Sequence, residues 1–180
     1  GFVRFADEIV DTFHEYDRKS LLDKFWKETH EAIEQKISLN PILNSFQCVV
    51  NKYNIPMDLI DTFMRSMEMD LGKKTYEREE YDQYILGSAE VVGLMCLCVF
   101  CEGDKSLYDK LRVKAMKLGA AFQKINFLRD LGNDSNDLGR FYFPNTDMTR
   151  FDAKAKAEIE REIEADFREG YEGILLLPKH

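Results

Sequence analysis

Three side chains with oxygen atoms recur at every fourth residue near position 130, namely Asn126, Asp130 and Asp134. In a helix this spacing places all three on one face, each one turn above the last. A row of oxygen ligands suits a hard divalent cation such as Mg²⁺, which keeps some waters and often takes substrate phosphate oxygens to complete its shell. The pattern therefore predicts a helix with one metal-binding face, and that face must border a cavity that admits the phosphate.

A second acidic pair, Asp7 and Asp11, has the same spacing near the start of the chain, with Arg4 one turn earlier. Taken alone, such a pair is more often a solvated helix face than a site. Both acidic segments, however, are flanked by apolar residues and have an arginine on the N-terminal side, Arg129 in the second case. We therefore expect two helices to face each other across a cavity and to bind a diphosphate through metal ions.

Helical periodicity continues along the rest of the chain, and strict alternation of apolar and polar residues is absent. Asn40 followed by Pro41 is a helix start signal, with Asn as N-cap and Pro in the first turn. The pattern predicts helices over about 1–18, 19–38, 41–54, 56–71, 79–100 and 106–134. Thr149 and Asp152 form a capping motif for a last helix that runs to about residue 169. We expect an all-α bundle with a site between facing helices, built as a single domain over residues 1–180.

Charge and composition narrow the function classes. The net charge of −8 argues against nucleic acid as a partner, because phosphate backbones need a basic face. The longest apolar stretch, Val91–Phe100, is too short to cross a membrane, and no secretory signal pattern is present. The four cysteines, three of them between Cys96 and Cys101, are expected to be buried free thiols in a reducing cytoplasm.

Three blocks of the sequence resemble the phytoene/squalene synthase family of head-to-head prenyl synthases. The blocks are Arg4–Asp11, Tyr84–Gly93, and Gln123–Asp134 with Gly139–Pro144 after it. They follow the order and spacing of the family, and residues 88–95 are most similar to the corresponding segment of bacterial phytoene synthases. One position departs from the pattern, since Glu90 stands where the family has a small glycine.

The resemblance implies a helical bundle of the isoprenoid synthase type with a central cavity, and it implies that family members carry more chain at both ends. It also implies a prenyltransferase that joins two geranylgeranyl diphosphates head-to-head into phytoene, through a cyclopropyl diphosphate, in carotenoid biosynthesis. The implied cofactor is Mg²⁺, with Mn²⁺ as an alternative, and NADPH is not expected for a phytoene synthase. Whether these 180 residues are active by themselves stays open at this stage.

The same resemblance assigns roles to individual residues. Tyr84 matches the catalytic tyrosine of the family, and four aspartates join it in catalysis: Asp7, Asp11, Asp130 and Asp134. The implied metal ligands are those aspartates and Asn126. The implied diphosphate-binding residues are Arg4, Gln123, Arg129, Arg140 and Tyr142. Arginine suits this role because its planar guanidinium binds two phosphate oxygens at once.

Two kinds of alternative remain at the level of sequence. One is a squalene or dehydrosqualene synthase that acts on farnesyl diphosphate, and squalene synthases also use a nicotinamide cofactor. The other is an inactive family member, or a plain helical domain, that serves as a binding or assembly protein. For an enzyme we expect a prenyl diphosphate substrate, no nucleic acid partner, and a cytoplasmic location with peripheral contact to the inner membrane for the apolar product. The oligomeric state stays open.

Overall fold

The computed structural model describes residues 1–72, 76–133 and 153–178, apart from the side chains of residues 130–133. Within these ranges all regular secondary structure is helical, which confirms the expected all-α class. The helices are α1 (Phe2–Asp11), α2 (Arg18–Gln35), α3 (Pro41–Tyr53), α4 (Met57–Asp70), α5 (Arg78–Ile85), α6 (Val91–Phe100), α7 (Lys105–Asn133) and α8 (Ala153–Leu175). A π-helical stretch, Leu86–Glu90, joins α5 to α6 and is called the π segment below.

The first helix is shorter than the sequence predicted, because α1 ends at Asp11 instead of near residue 18. Asp17 stops any continuation by capping the next helix, since its side chain accepts a hydrogen bond of 3.0 Å from the backbone N–H of Ser20. Aspartate competes well for backbone donors in this way and therefore favours N-caps over helix interiors.

The start signal at Asn40 is confirmed, since its side chain accepts from the backbone N–H of Ile42 at 3.0 Å and α3 begins at Pro41. The last helix is longer than predicted, because α8 continues beyond residue 169 to Leu175. The predicted capping motif of Thr149 and Asp152 lies outside the described residues.

The helix predicted over 79–100 is interrupted in its middle by the π segment, where the backbone N–H of Val91 donates to the carbonyl of Leu86. Such wide turns are rare and often occur at functional sites. By length and composition alone, the continuous stretch Arg78–Phe100 could cross a membrane, contrary to the expectation from the sequence. This is weak evidence for a membrane span, because a core helix of a bundle passes the same test and 44% of the apolar window is buried in the protein.

The main core lies between α1, α2, α3, α4 and α6. The buried side chains of α1 are Phe2, Ala6, Ile9 and Val10, which occupy one face of that helix. The ring of Phe2 stacks on Phe46 of α3 with centroids 3.8 Å apart and also contacts Phe25 and Phe63. Burial of this face fixes the rotation of α1 and leaves Asp7 half-buried at its edge.

The cysteines are free thiols, as expected, but only two of them are buried. Cys98 and Cys101 lie inside, whereas Cys48 and Cys96 are exposed. The expectation of buried thiols is therefore wrong for Cys48 and Cys96, whose side chains reach accessible space beside α3 and α6.

Helix α7 packs very closely on the segment that follows α5, and glycines make this approach possible. A Cβ atom added to Gly119 would lie 2.5 Å from the carbonyl oxygen of Ala89 in the π segment, and one added to Gly93 would lie 2.5 Å from the carbonyl oxygen of Ala115 in α7. Real Cβ atoms essentially never come so near a backbone oxygen. The two helices therefore touch backbone to backbone at these points.

We expect Gly119→Ala to lower the free energy of unfolding by about 1–3 kcal/mol, even though alanine has the better helix propensity by about 1 kcal/mol. The added methyl group must displace a backbone carbonyl, which is less adaptable than a side chain. Denaturant unfolding measures the effect, and Gly72→Ala is the control, since a Cβ there meets nothing within 4 Å. Equal stability of the two variants would contradict the close contact.

Candidate active site

A first cavity of about 600 Å³ opens between α1, α3, α4, α5, the π segment, α6 and α7. Five of the residues singled out in the sequence line it: Arg4, Asp7, Tyr84, Gln123 and Asn126. They come from three separate parts of the chain and meet only because α1, α5 and α7 border the same space. The rest of the lining is largely apolar and includes Phe46, Val49, Phe63, Met67, Val92 and Met95. The cavity thus combines ionisable groups with a hydrocarbon surface.

On the α1 side, Asp7 lines the first cavity and carries a carboxylate that is 44% exposed. The guanidinium of Arg4 lies 3.8 Å from this carboxylate and donates to Glu8 at 3.2 Å. Asp11 is half-buried one turn further along and is not among the residues that line the cavity. Only one carboxylate of the predicted pair therefore borders this space directly.

On the α7 side, Gln123 and Asn126 line the cavity, whereas Arg129 is exposed and does not. The backbone of α7 stays helical through Gly132 to Asn133. The side chain of Asp130 and the whole of Asp134, Arg140 and Tyr142 lie outside the described residues.

The donor set at the cavity fits an oxygen-seeking cation, although only part of the predicted ligand set can be placed. The carboxylate of Asp7 and the amide of Asn126 border the same cavity, and both offer oxygen to a hard ion such as Mg²⁺. In the part of the chain that the structure describes, no three His, Cys, Asp or Glu side chains come close enough together to hold a metal ion. The metal roles of these residues stay a prediction.

Tyr84, the predicted catalytic tyrosine, is 4% exposed, and its hydroxyl donates to Asp70 Oδ2 at 2.6 Å. The hydroxyl of Tyr76 donates to the other oxygen of Asp70 at 3.1 Å. The ring of Tyr84 also packs on Phe127, with centroids 5.8 Å apart, and Phe127 directly follows Asn126 in α7. A buried carboxylate therefore holds the tyrosine against α7, the helix that carries Asn126 and Asp130.

No role was assigned to Asp70 from the sequence, although one signal was available. Asp70 is the last residue of α4, and a negative charge at the C-terminal end of a helix opposes the helix dipole. It is also only 5% exposed. A buried acid in such an unfavourable place needs strong donors, and the two tyrosine hydroxyls supply them.

A second cavity of about 660 Å³ lies between the π segment, α6, α7 and α8, and its lining is almost wholly apolar. Ser88, Val92, Cys96 and Gln123 line both cavities, so the two spaces adjoin along the π segment and α6. The hydroxyl of Ser88 is the only buried side-chain polar atom without a hydrogen-bond partner among the described residues. Leaving such a group unsatisfied costs about 1–3 kcal/mol, which favours a polar ligand atom or a water at this point.

A cluster of charged side chains joins α7 to α8. Asp166 of α8 is 6% exposed and accepts from Lys117 at 2.8 Å and from Lys124 at 2.7 Å. Lys124 also pairs with Glu162. Burial alone would raise the pKa of Asp166, but the hydrogen bonds from both lysines outweigh it and hold that pKa below its usual value.

Glu90, the departure from the family pattern, is half-buried and is not among the residues that line either cavity. Burial raises the pKa of its carboxyl, and the charges of Lys117 and Lys124 partly oppose that rise. The carboxyl therefore belongs electrostatically to the cluster between α7 and α8.

Comparison with protein families gives a match to the family described as squalene/phytoene synthase, over residues 1–175. Among curated proteins, the chain is 26% identical over 155 residues to a phytoene synthase of Arthrospira platensis, which covers 80% of this chain and 50% of that protein. It is also 26% identical over 170 residues to the 15-cis-phytoene synthase of Paracoccus sp. (strain N81106 / MBIC 01143), covering 88% and 53%. The chain thus spans about half the length of these relatives.

Solved structures show the same architecture. The chain superposes on squalene synthase HpnC from Alicyclobacillus acidocaldarius with a TM-score of 0.81 at 25% identity, covering 98% of this chain and 71% of that one. A dehydrosqualene synthase in complex with a ligand gives a TM-score of 0.81 at 24% identity, covering 99% and 66%. The second likeness shows the fold alone. Both confirm the isoprenoid synthase type of bundle that the motifs implied.

Proposed function

The chain belongs to the squalene/phytoene synthase family, and on this premise we propose that it forms the diphosphate-binding part of a prenyltransferase that makes phytoene. The reaction joins two geranylgeranyl diphosphates head-to-head through a cyclopropyl diphosphate, with Mg²⁺ or Mn²⁺, in carotenoid biosynthesis. The observation that carries the proposal is the meeting of Asp7, Tyr84 and Asn126, from three distant parts of the chain, on one cavity. The names of the curated phytoene synthases that match the chain support the choice of product.

The polar residues of the first cavity would receive the diphosphate. Asp7 and Asn126 would hold Mg²⁺ together with Asp11, Asp130 and Asp134, and the bound ion supplies the charge neutralisation that a leaving diphosphate needs. Arg4 and Gln123 line the same cavity and offer hydrogen-bond donors to phosphate oxygens.

The apolar lining has a separate task, since the allylic cation left by ionisation must be kept from water. Apolar side chains of α3, α4 and α6 exclude water from the first cavity, and the adjoining second cavity extends the hydrocarbon surface toward α8. The ring of Tyr84 offers an aromatic face that stabilises positive charge. A cavity with polar groups at one part of its wall and apolar side chains over the rest fits a substrate with a phosphate head and a hydrocarbon body.

A farnesyl-based reaction is the second candidate, favoured by the likeness to squalene synthase HpnC. Product analysis separates the candidates when the protein, expressed from its complete gene, is given geranylgeranyl or farnesyl diphosphate with and without NADPH. Phytoene formed from geranylgeranyl diphosphate (C20) without NADPH supports the proposal. Turnover of farnesyl diphosphate (C15) alone supports the second candidate. Turnover of neither diphosphate supports a binding or assembly protein.

We expect Mg²⁺ together with pyrophosphate to raise the melting temperature, because a ligand present at 100 times its Kd stabilises the folded state by about 2.7 kcal/mol. Neither Mg²⁺ nor pyrophosphate alone should do so to the same extent, since this acidic protein binds the anion through the cation. Differential scanning fluorimetry measures the shift. A non-enzymatic helical domain with surface acids should show none.

A further inference from the structure

We propose that Asp70 is a positioning residue that makes Tyr84 a hydrogen-bond acceptor toward the ligand in the first cavity. The inference rests on the proposed prenyl transfer and goes beyond it by assigning a role to a residue of α4 outside the sequence motifs. A phenol carries a single hydroxyl hydrogen, and that of Tyr84 is given to Asp70. What the hydroxyl then offers to a ligand is its oxygen lone pairs.

The geometry around Asp70 is that of an ionised carboxylate that organises two phenols. The O···O distance of 2.6 Å to Tyr84 lies in the range of charge-assisted O–H···O⁻ bonds, and Tyr76 occupies the second oxygen at 3.1 Å. The rings of Tyr76 and Tyr84 lie 5.2 Å apart, so the carboxylate and these two tyrosines form one packed unit. All three residues are at most 5% exposed, which keeps competing water away.

This arrangement selects between two roles for Tyr84. A tyrosine that gave its proton to the departing diphosphate would need its hydrogen directed at the ligand, whereas here the hydrogen is committed to Asp70. A tyrosine oxygen that only accepts can take the proton lost when the cyclopropane forms. In that step a C–H bond of the prenyl chain breaks, and its electron pair closes the ring onto the cationic carbon. The proton passes to Tyr84 Oη as the phenolic proton moves to Asp70, which ends neutral.

The first test is a double-mutant cycle in the protein expressed from its complete gene. Asp70→Asn keeps the shape, but its amide cannot take the proton. We expect kcat to fall by about 100-fold, the lower end of what positioned proton-transfer groups contribute, with KM for the prenyl diphosphate changed by no more than about twofold. Because Asp70 acts through Tyr84, adding Asp70→Asn to Tyr84→Phe should cause no further loss. Losses that multiply in the double variant would overturn the inference.

Asp61→Asn is the matched control for loss of structure. Asp61 lies on the same helix, is 22% exposed, and also accepts two contacts, from Trp26 Nε1 and His30 Nε2, both at 2.7 Å. This variant should lower the melting temperature and leave kcat of the folded protein unchanged. If it lowers kcat as much as Asp70→Asn does, the role of Asp70 is structural and the inference fails.

A second readout needs no turnover. A hydroxyl proton in a short bond to a buried carboxylate should give a downfield proton NMR signal, present in the wild type and in Tyr76→Phe but lost in Tyr84→Phe and Asp70→Asn. Absence of the signal from the wild type would overturn the inference even when prenyl transfer is observed. A wild type that shows the signal but turns over no prenyl diphosphate would instead overturn the proposed function, and the catalytic role of Asp70 with it.

Discussion

Asp7→Asn is expected to reduce turnover of prenyl diphosphate by about 1,000-fold, because neutralisation of the leaving group by bound metal is worth several kcal/mol and each 1.4 kcal/mol is tenfold in rate. The amide keeps the shape of the side chain and removes one negative charge from the cavity wall. Folding should hardly change, since the carboxylate is 44% exposed. Steady-state turnover across a range of Mg²⁺ concentrations, measured beside the melting temperature, checks this result.

Glu8→Gln is the matched control, because it removes the same charge from the next residue of α1, whose side chain does not line the cavity. Glu8 pairs with the same arginine at 3.2 Å and is 35% exposed, so any general effect of charge on α1 appears in both variants. Near-normal turnover in Asp7→Asn, or an equal loss in Glu8→Gln, would contradict a metal-binding role for Asp7.

The second large effect concerns stability. Asp166→Asn should lower the free energy of unfolding by about 3 kcal/mol, since it leaves Lys124, which is 7% exposed, without its buried counter-charge. For a chain of this size that loss corresponds to a fall in melting temperature of about 6–12 °C. Thermal and denaturant unfolding of wild type and variant at neutral pH measure it.

The same contact predicts a pH dependence with a definite sign. The pKa of Asp166 is lower in the folded protein than in the unfolded chain, because the lysines stabilise its ionised form. Its contribution to stability is therefore complete above the unfolded pKa, near the usual value of about 4, and is lost as pH falls through the lower folded pKa. Asp166→Asn should flatten this acid limb of the stability profile.

Glu164→Gln serves as the control on the same helix. Glu164 pairs with Arg168 at 2.6 Å, but both side chains are well exposed, at 60% and 75%. Exposed pairs of this kind contribute about 0–1 kcal/mol, so the variant should unfold close to the wild type. If both variants lost the same stability, burial would not be what makes the contact at Asp166 strong.

The helices could be predicted from the sequence wherever local signals agree with the tertiary structure. The cap at Asn40 is such a case, because its side chain satisfies the backbone of its own helix. The end of α1 was missed because apolar periodicity continues past Asp11, and the decisive contact, the cap formed by Asp17, also fits a place inside a longer helix. The π segment was missed because no residue pattern distinguishes its five residues from an α-turn.

The candidate site divides in a similar way. Asp7, Tyr84 and Asn126 could be proposed from motif spacing, and the structure brings them to one cavity. Asp70 could not, because its significance comes from two hydroxyls that only the fold places against it. Ser88 was passed over for the opposite reason, since what marks it is the lack of a partner inside the protein.

The π segment also determines which side chains of the continuous stretch α5–π segment–α6 face the same side. Tyr84, Ser88, Val92 and Cys96 all line the first cavity, although three steps of four residues in a regular α-helix would drift by about 120° around the axis. The wide turn, closed by the bond from Val91 to Leu86, takes up one extra residue and offsets most of that drift. If the segment became a regular α-helix at its present length, Tyr84 would turn about 100° relative to Cys96. Deletion of one residue would instead give a regular helix that keeps both on the same side, because eleven regular steps turn about as far as twelve steps with one wide turn. The segment can thus lose one residue during divergence without turning Tyr84 away from the first cavity.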